Sequence, residues 1–200
     1  MSVQQIFGTP IYICKFSGHE TCSNLFDEWL YKDSIFKNPW SYYCNVDTTI
    51  SNPDGNSELP WDKFIEPAIN DLSEYLKYFD VRGQVRFSVN AWLNRYKQGY
   101  SQEVHQHVQT GNVFSCAYML KLPKEAGQFS FVSNNGSGNS FVYTGFNELC
   151  GENYPMCDKY TPDLEEGDIV FFPSDTYHMV GPNNTDEVRA TISANFGVFR

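Results

Sequence analysis

The sequence predicts an α+β protein in which helices pack outside an antiparallel β-sandwich or barrel. The chain is rich in strand-favouring aromatic residues, with 16 Phe and 13 Tyr among 200 residues. Helical periodicity is confined to its first part, and short apolar runs between turn residues fill the second. This length suits one domain. We divide it into an N-terminal part over residues 1–83 and a β core over 84–200.

The N-terminal part predicts one strand and two helical regions. Residues 11–16, "IYICKF", follow turn residues and are typical of a strand. Residues 20–36 carry apolar side chains at helical spacing. From Trp61 to Leu76 apolar residues recur along one helical face, which predicts a long amphipathic helix. We expect that face to pack against the outside of the sheet.

The second part predicts a series of short strands. Residues 84–96 alternate apolar and polar side chains, as a half-buried strand does. Further runs follow at 112–122, 127–133, 140–145, 168–174, 177–181 and 188–199, and Gly, Pro or Asn separates most of them. Many short strands with turn signals between them indicate an antiparallel sandwich or barrel.

Charge and cysteine content narrow the class of partner. The chain has 24 acidic and 14 basic residues, a net charge of -10 and no Lys/Arg cluster, so a nucleic-acid partner is disfavoured. The N-terminus lacks the basic segment and apolar core of a signal peptide, and no apolar run approaches the roughly 18 residues that span a bilayer. We expect a cytoplasmic protein with no membrane partner.

The six cysteines form no C-x-x-C pair and are expected to be mostly free, including Cys150 and Cys157 beside one loop.

Three of the four histidines stand in a pattern that suits a metal. His105 and His107 lie one residue apart in "EVHQHVQTG", and in extended backbone such side chains share one face. His178 follows 73 residues later in "EGDIVFFPSDTYHMVGPN", where it begins another strand. A lone histidine is more often a hydrogen-bonded surface or core residue, and we expect His19 to be a surface residue at the start of a helix. The other three histidines are candidate ligands of one ion.

Three segments together resemble a known enzyme family. They are "HQHVQTGNVFSCAYML" from residue 105, "EEGDIVFFPSDTYHMVGPN" from residue 165 and "RATISANF" from residue 189. Their order and strand context resemble the 2-oxoglutarate/Fe(II)-dependent oxygenases, in particular a branch with an H-x-H first motif. The opening "IFGTPIYICKF" is similar to that branch as well. The resemblance implies a double-stranded β-helix, an Fe(II) cofactor, 2-oxoglutarate as cosubstrate, O₂, and a hydroxylase activity.

The resemblance also implies a set of iron ligands. His105 and His178 match the two histidine ligands of the family, while His107 falls where most relatives place Asp or Glu. Three neutral imidazoles would leave the site at a charge of about +2 instead of +1, which weakens metal retention but favours a dianionic cosubstrate. Glu103 and Asp175 remain lesser candidates for the third ligand.

Arg189, which follows His178 by 11 residues, resembles the arginine that binds the distal carboxylate of 2-oxoglutarate. A planar guanidinium meets a carboxylate with two parallel hydrogen bonds. Thr191 and Ser193 share its strand face and can add a hydroxyl each, and Tyr118 is a further candidate. On the preceding strand, one face carrying Asn90, Trp92 and Asn94 can line the same pocket.

Two other interpretations stay open at the level of sequence. A cupin, another metal-binding barrel, shares the H-x-H spacing, but its first motif requires a Glu where this chain has Gly111 or Asn112, and it has no need of Arg189. The second interpretation is a metal-free β-barrel that serves as a binding or structural module. The substrate is not named by the sequence, although the acidic composition suits a basic protein or peptide. The loop over 145–163 is expected to hang over the barrel mouth.

Overall fold

The computed structural model describes residues 2–38, 45–133 and 159–200. Within these ranges the helices are α1 His19–Asp27, α2 Pro53–Ser57 and α3 Trp61–Lys77, with 3₁₀ turns at Glu28–Tyr31 and Asp33–Ile35. The strands are β1 Ser2–Ile6, β2 Thr9–Lys15, β3 Asp47–Thr48, β4 Arg86–Tyr96, β5 Gln102–His105, β6 Phe114–Lys121, β7 Phe129–Val132, β8 Lys159–Tyr160, β9 Asp168–Pro173, β10 His178–Val180 and β11 Arg189–Phe199.

The described strands form two antiparallel sheets. The larger has the order β1-β2-β9-β6-β11-β4-β3, and the smaller has the order β5-β10-β7-β8. Apolar side chains from both sheets pack together between them, including Tyr96, Met119, Phe131 and Phe172. The predicted α+β class and antiparallel barrel are therefore confirmed.

Strand β11 separates this interior from a second core outside the barrel. Its alternate residues Ala190, Ile192 and Ala194 join the cluster that includes side chains of α1 and α3. Arg189 and Thr191 lie on the opposite strand face and are buried in the barrel. Both faces of the strand are covered, which explains why its sequence carries small and apolar residues at almost every position.

Helix α3 has the position and orientation that the sequence predicts. Its buried residues include Phe64, Ala68 and Leu72, which belong to the outer core with Ile192 of β11. Asp71 is also engaged, since its Oδ2 accepts a hydrogen bond of 2.9 Å from the backbone N–H of Ser17. The helix is therefore attached both by its apolar face and by this polar contact.

Replacing Leu72 with Ala is expected to destabilise the whole domain by about 2–5 kcal/mol, because the side chain is fully buried and leaves a cavity. The neighbouring Asn70 is exposed, so Asn70→Ala is the matched control and should shift the free energy of unfolding by less than about 0.5 kcal/mol. Chemical denaturation measures both. Equal effects of the two variants would mean that α3 is not packed against the barrel.

The N-terminal part contributes to the barrel as well as to the helices. Strand β2 pairs with β9, and β1 pairs with β2. The sequence did not predict β1, because the turn to β2 is formed by Phe7 and Gly8 instead of a more typical Asn-Gly pair. Both residues have positive φ, 51° and 80°, as a two-residue hairpin turn requires. The larger sheet thus includes strands from both sides of residue 83.

Several sequence predictions concern residues outside the described ranges. The strand at 140–145, Cys150, Cys157 and most of the 145–163 loop lie outside the described residues. Cys14, Cys22 and Cys116 are buried free thiols, as expected. Among the described helices, none is long and apolar enough to cross a membrane.

Candidate metal and cosubstrate site

Antiparallel pairing of β5 with β10 brings the three histidines together. His178 lies directly opposite His105 in the register of the two strands, and His107 follows just after β5 ends. The ring centroids of His105 and His178 are 4.2 Å apart, and that of His107 lies 4.8 Å from His178 and 5.2 Å from His105. Each ring offers one ligand atom, and these atoms lie within 4.8 Å of one another. Ligand atoms of three side chains in this arrangement could hold one metal ion.

Hydrogen bonds at Nδ1 orient all three imidazoles. Nδ1 of His105 donates to the carbonyl of Glu103 at 2.8 Å, and Nδ1 of His178 donates to the carbonyl of Thr176 at 2.9 Å. Nδ1 of His107 lies 2.9 Å from Oδ1 of Asn195. A carbonyl oxygen only accepts, so each Nδ1 carries the proton and each Nε2 keeps its lone pair for a metal.

The surroundings keep the three rings neutral. Burial lowers the pKa of His107 to about 4, with a smaller contribution from the nearby His105. Burial also lowers the pKa of His105 and, further, that of His178, which is 3% exposed. A lowered histidine pKa means that the uncharged, metal-binding form predominates at neutral pH.

Neither alternative carboxylate belongs to this cluster. The group that could hold an ion, among the described residues, consists of His105, His107 and His178 without an acid. Glu103 is exposed and takes part only through its backbone carbonyl, and Asp175 is exposed three residues before His178. The geometry therefore favours three imidazoles as the protein ligands.

Arg189 is the largest fully buried side chain of the described residues, and two of its three guanidinium nitrogens lack a hydrogen-bond partner. Its Nε and Nη1 have no hydrogen-bond partner, and Nη2 makes a long contact of 3.9 Å to Sδ of Met119. The guanidinium carbon lies 4.9 Å from the centroid of the Tyr96 ring. Burial lowers its pKa. Unpaired buried donors are rare and costly, and a carboxylate ligand would satisfy both.

The space around Arg189 is roomy, whereas the space beside the histidines is narrow. Arg189 and Phe129 line a cavity of about 370 Å³, and Phe129 also lines the much smaller cavity of about 20 Å³ that contains the three histidines. Tyr96 borders this inner cavity and faces Arg189. The inner cavity and the cavity beside Arg189 therefore share Phe129 in their linings.

Most of the predicted pocket residues lie in the inner cavity. Thr191 and Ser193 border it together with Asn94, whose Nδ2 donates to their hydroxyls at 3.4 and 3.2 Å. Trp92 lines it as well, and its ring centroid lies 5.4 Å from that of His107. Asn90 is exposed and does not contribute.

The prediction that Tyr118 assists cosubstrate binding is wrong. Tyr118 stands opposite Ile192 in the β6–β11 register, so its side chain faces the outer core. Its hydroxyl lies 2.7 Å from Nδ1 of His19, which gives this histidine a buried partner that the sequence did not indicate. Tyr96 does face the barrel interior, in phase with Trp92 and Asn94 on β4.

A hydrogen-bonded group behind His107 was also missed from sequence. Oδ1 of Asn195 accepts from Nδ1 of His107 and from the hydroxyl of Ser115, which lies 2.9 Å from the hydroxyl of Ser174. The backbone N–H of His107 donates to the carbonyl of Ser174 at 2.8 Å. The periodicity of the strand could have indicated Asn195 from sequence. It lies six residues after Arg189 and so shares its face of the strand.

Replacing Asn195 with Ala is expected to weaken metal binding by about 10- to 100-fold, because His107 loses the acceptor that fixes its tautomer and orientation. Asn195→Asp should restore part of the affinity, since a carboxylate oxygen also accepts. Competition with a chromophoric chelator measures the change, and exposed Asn184→Ala is the control. Parental affinity in Asn195→Ala would show that this contact does not support the ligand.

Comparison with known proteins agrees with this arrangement. Residues 90–195, more than half of the chain, match the model of a 2OG-Fe(II) oxygenase family. The chain belongs to that 2OG-Fe(II) oxygenase family. The matched range includes all three histidines and Arg189. No curated protein matches the sequence of this oxygenase significantly.

Solved structures share the fold at low identity. A Pseudomonas putida prolyl-4-hydroxylase is 11% identical with a TM-score of 0.62, and the match covers 94% of this chain and 91% of that one. The carbocyclase SnoK from nogalamycin biosynthesis is 13% identical, with a TM-score of 0.62 and coverages of 94% and 79%. A Trichoplax adhaerens prolyl hydroxylase, in complex with a hypoxia inducible factor peptide fragment, is 14% identical, with a TM-score of 0.57 and coverages of 94% and 83%.

Family membership decides between the interpretations that the sequence left open. The double-stranded β-helix fold is confirmed. The protein is a 2-oxoglutarate-dependent oxygenase that uses Fe(II) and 2-oxoglutarate. The cupin and the metal-free barrel are set aside. The donor set fits these cofactors, because neutral imidazoles suit Fe(II) and the orphaned guanidinium of Arg189 suits a carboxylate.

Proposed function

We propose that this oxygenase hydroxylates a protein or peptide substrate, with His105, His107 and His178 as the iron ligands. Arg189 binds the distal carboxylate of 2-oxoglutarate, assisted by the hydroxyls of Thr191 and Ser193. One observation carries the proposal. Three imidazoles, each with Nδ1 already hydrogen-bonded, lie in the same barrel as a buried guanidinium whose Nε and Nη1 lack hydrogen-bond partners.

The overall reaction balances without another reductant. One atom of O₂ is inserted into a C–H bond of the substrate to give an alcohol, and the other enters succinate as 2-oxoglutarate loses CO₂. Bound Fe(II) supplies the activation of O₂. The residues of the chain hold the iron on one side, orient the cosubstrate through Arg189 and exclude water with aromatic walls such as Phe172, whose centroid lies 4.8 Å from that of His178.

Two findings support a protein or peptide as the substrate. The Trichoplax adhaerens prolyl hydroxylase that shares this fold is bound to a peptide fragment. The chain is also strongly acidic, with a net charge of -10, which favours neutral or basic partners over polyanions. A single domain over residues 1–200 and a cytoplasmic location remain predictions.

The test is a mass-shift screen with purified enzyme, Fe(II), 2-oxoglutarate and a heat-treated peptide digest of cell extract. Peptides that gain the mass of one oxygen atom, with one succinate formed for each, would support the proposal. The His178→Ala protein is the control for oxidation without the enzyme. Oxygen incorporation only into small molecules would overturn the peptide assignment and leave the oxygenase activity intact.

A further inference from the structure

A second cavity lies beside the histidines, on the side away from Arg189. This outer cleft has a volume of about 270 Å³ and is lined by Trp92, Glu103, His105, His107, Ile50, Val108, Gln102, Gln106, Gln109 and Asn195. Trp92 and both histidines also line the inner cavity. A group in the outer cleft therefore lies next to the proposed metal, where a substrate must be.

The walls of the outer cleft suit an aliphatic chain. Ile50 and Val108 contribute apolar surface and are 39% and 60% exposed. The Trp92 indole belongs to the same lining and lies edge-on to the imidazole of His107. The volume is slightly below the 300 Å³ or more typical of pockets for drug-sized ligands. One amino-acid side chain fits this space better than a nucleotide or an acyl-coenzyme carrier does.

The charge in the outer cleft is negative. Glu103 is the one Asp, Glu, Lys or Arg among its lining residues, and its carboxylate has no ion pair or hydrogen bond within the described part of the chain. The side chain is exposed and free to meet a ligand. An anionic substrate would be repelled by Glu103 and by the net charge of -10. A cation would be attracted by this carboxylate.

We propose that the outer cleft binds a side chain with an aliphatic stem and a cationic end, of the lysine or arginine type. The stem lies along Ile50, Val108 and Trp92, and the cation pairs with Glu103. Long basic side chains bury their methylene groups in just this manner and keep the charge near water. The inference rests on the proposed function, and it names the substrate class as a basic side chain in a peptide or as the free amino acid.

The experiment measures binding to Mn(II)- and 2-oxoglutarate-loaded enzyme by calorimetry. The probes are nine-residue Gly/Ala peptides with a central Lys, Arg, Gln or Glu, together with free L-lysine and L-arginine. Peptides with Lys or Arg should bind about tenfold more tightly than the Gln peptide, and the Glu peptide should bind most weakly. Glu103→Gln should remove most of this preference, and Glu103→Lys should reverse it in favour of the Glu peptide.

The control is Asp186→Asn, which removes an exposed carboxylate outside the cleft and should leave the preference unchanged. Equal binding of the Lys and Gln peptides, or a preference indifferent to Glu103, would overturn the inference. Binding of the free amino acids alone would support the cationic class and overturn the peptide substrate. Loss of all probe binding while 2-oxoglutarate still binds would overturn the cation site without touching the oxygenase assignment.

Discussion

Replacing His178 with Ala is expected to abolish stoichiometric Fe(II) binding. His178 is the buried member of the triad and stands between His105 and the aromatic wall formed by Phe129 and Phe172. Among the described residues no carboxylate lies close enough to replace it. Metal content after anaerobic loading and desalting should fall from about one equivalent to background. Circular dichroism should show a folded protein, because the rest of the core is intact.

Matched variants test whether the third iron ligand is His107 or a carboxylate. His107→Ala should lose most of the metal, whereas Glu103→Ala and Asp175→Ala should retain it, since both acids are exposed and outside the cluster. His19→Ala removes the one histidine outside the triad and serves as the control. Full retention of metal by His107→Ala, with loss in Glu103→Ala, would replace His107 with Glu103 as the third ligand.

Replacing Arg189 with Ala is expected to raise the dissociation constant of 2-oxoglutarate by roughly two orders of magnitude. Two charge-assisted hydrogen bonds from a buried guanidinium are lost, at a cost of about 3 kcal/mol. Calorimetric titration into anaerobic Mn(II)-loaded protein measures the change. Metal affinity should stay at the parental value, because Arg189 is not a ligand of the ion.

Two further substitutions sharpen this result. Arg189→Lys should recover only part of the affinity, because an ammonium group cannot make both parallel bonds. Arg189→Met should unfold at a temperature no lower than that of the parent in the absence of cosubstrate, since it removes an unpaired buried charge and keeps similar volume. Binding of 2-oxoglutarate that is indifferent to Arg189 would show that the cosubstrate carboxylate lies elsewhere.

The local elements of the fold could be predicted from the sequence, but their partners could not. The periodicity from Trp61 to Leu76 located α3 almost to the residue, and turn residues bounded β9 and β11. The pairing of β2 with β9 depends on contacts between residues more than 150 positions apart. No short-range sequence pattern encodes such pairing. Only the structure shows that the N-terminal strands pair with strands of the barrel.

The site residues, too, could be predicted only in part. The spacing of His105, His107 and His178 was sufficient to propose a metal centre, and the family resemblance supplied the role of Arg189. The prediction for Tyr118 failed on strand phase, since a shift of one residue moves a side chain to the other face of the sheet. Asn195 was missed because its partner, His107, lies 88 residues away in the chain.

The most direct test of the central claim is an anomalous difference map at the iron edge from a crystal grown anaerobically with Fe(II) and 2-oxoglutarate. One peak is expected within bonding distance of the Nε2 atoms of His105, His107 and His178, with a carboxylate of 2-oxoglutarate on Arg189. A peak bound by Glu103 or Asp175 in place of His107, or no peak among the three imidazoles, would contradict the account.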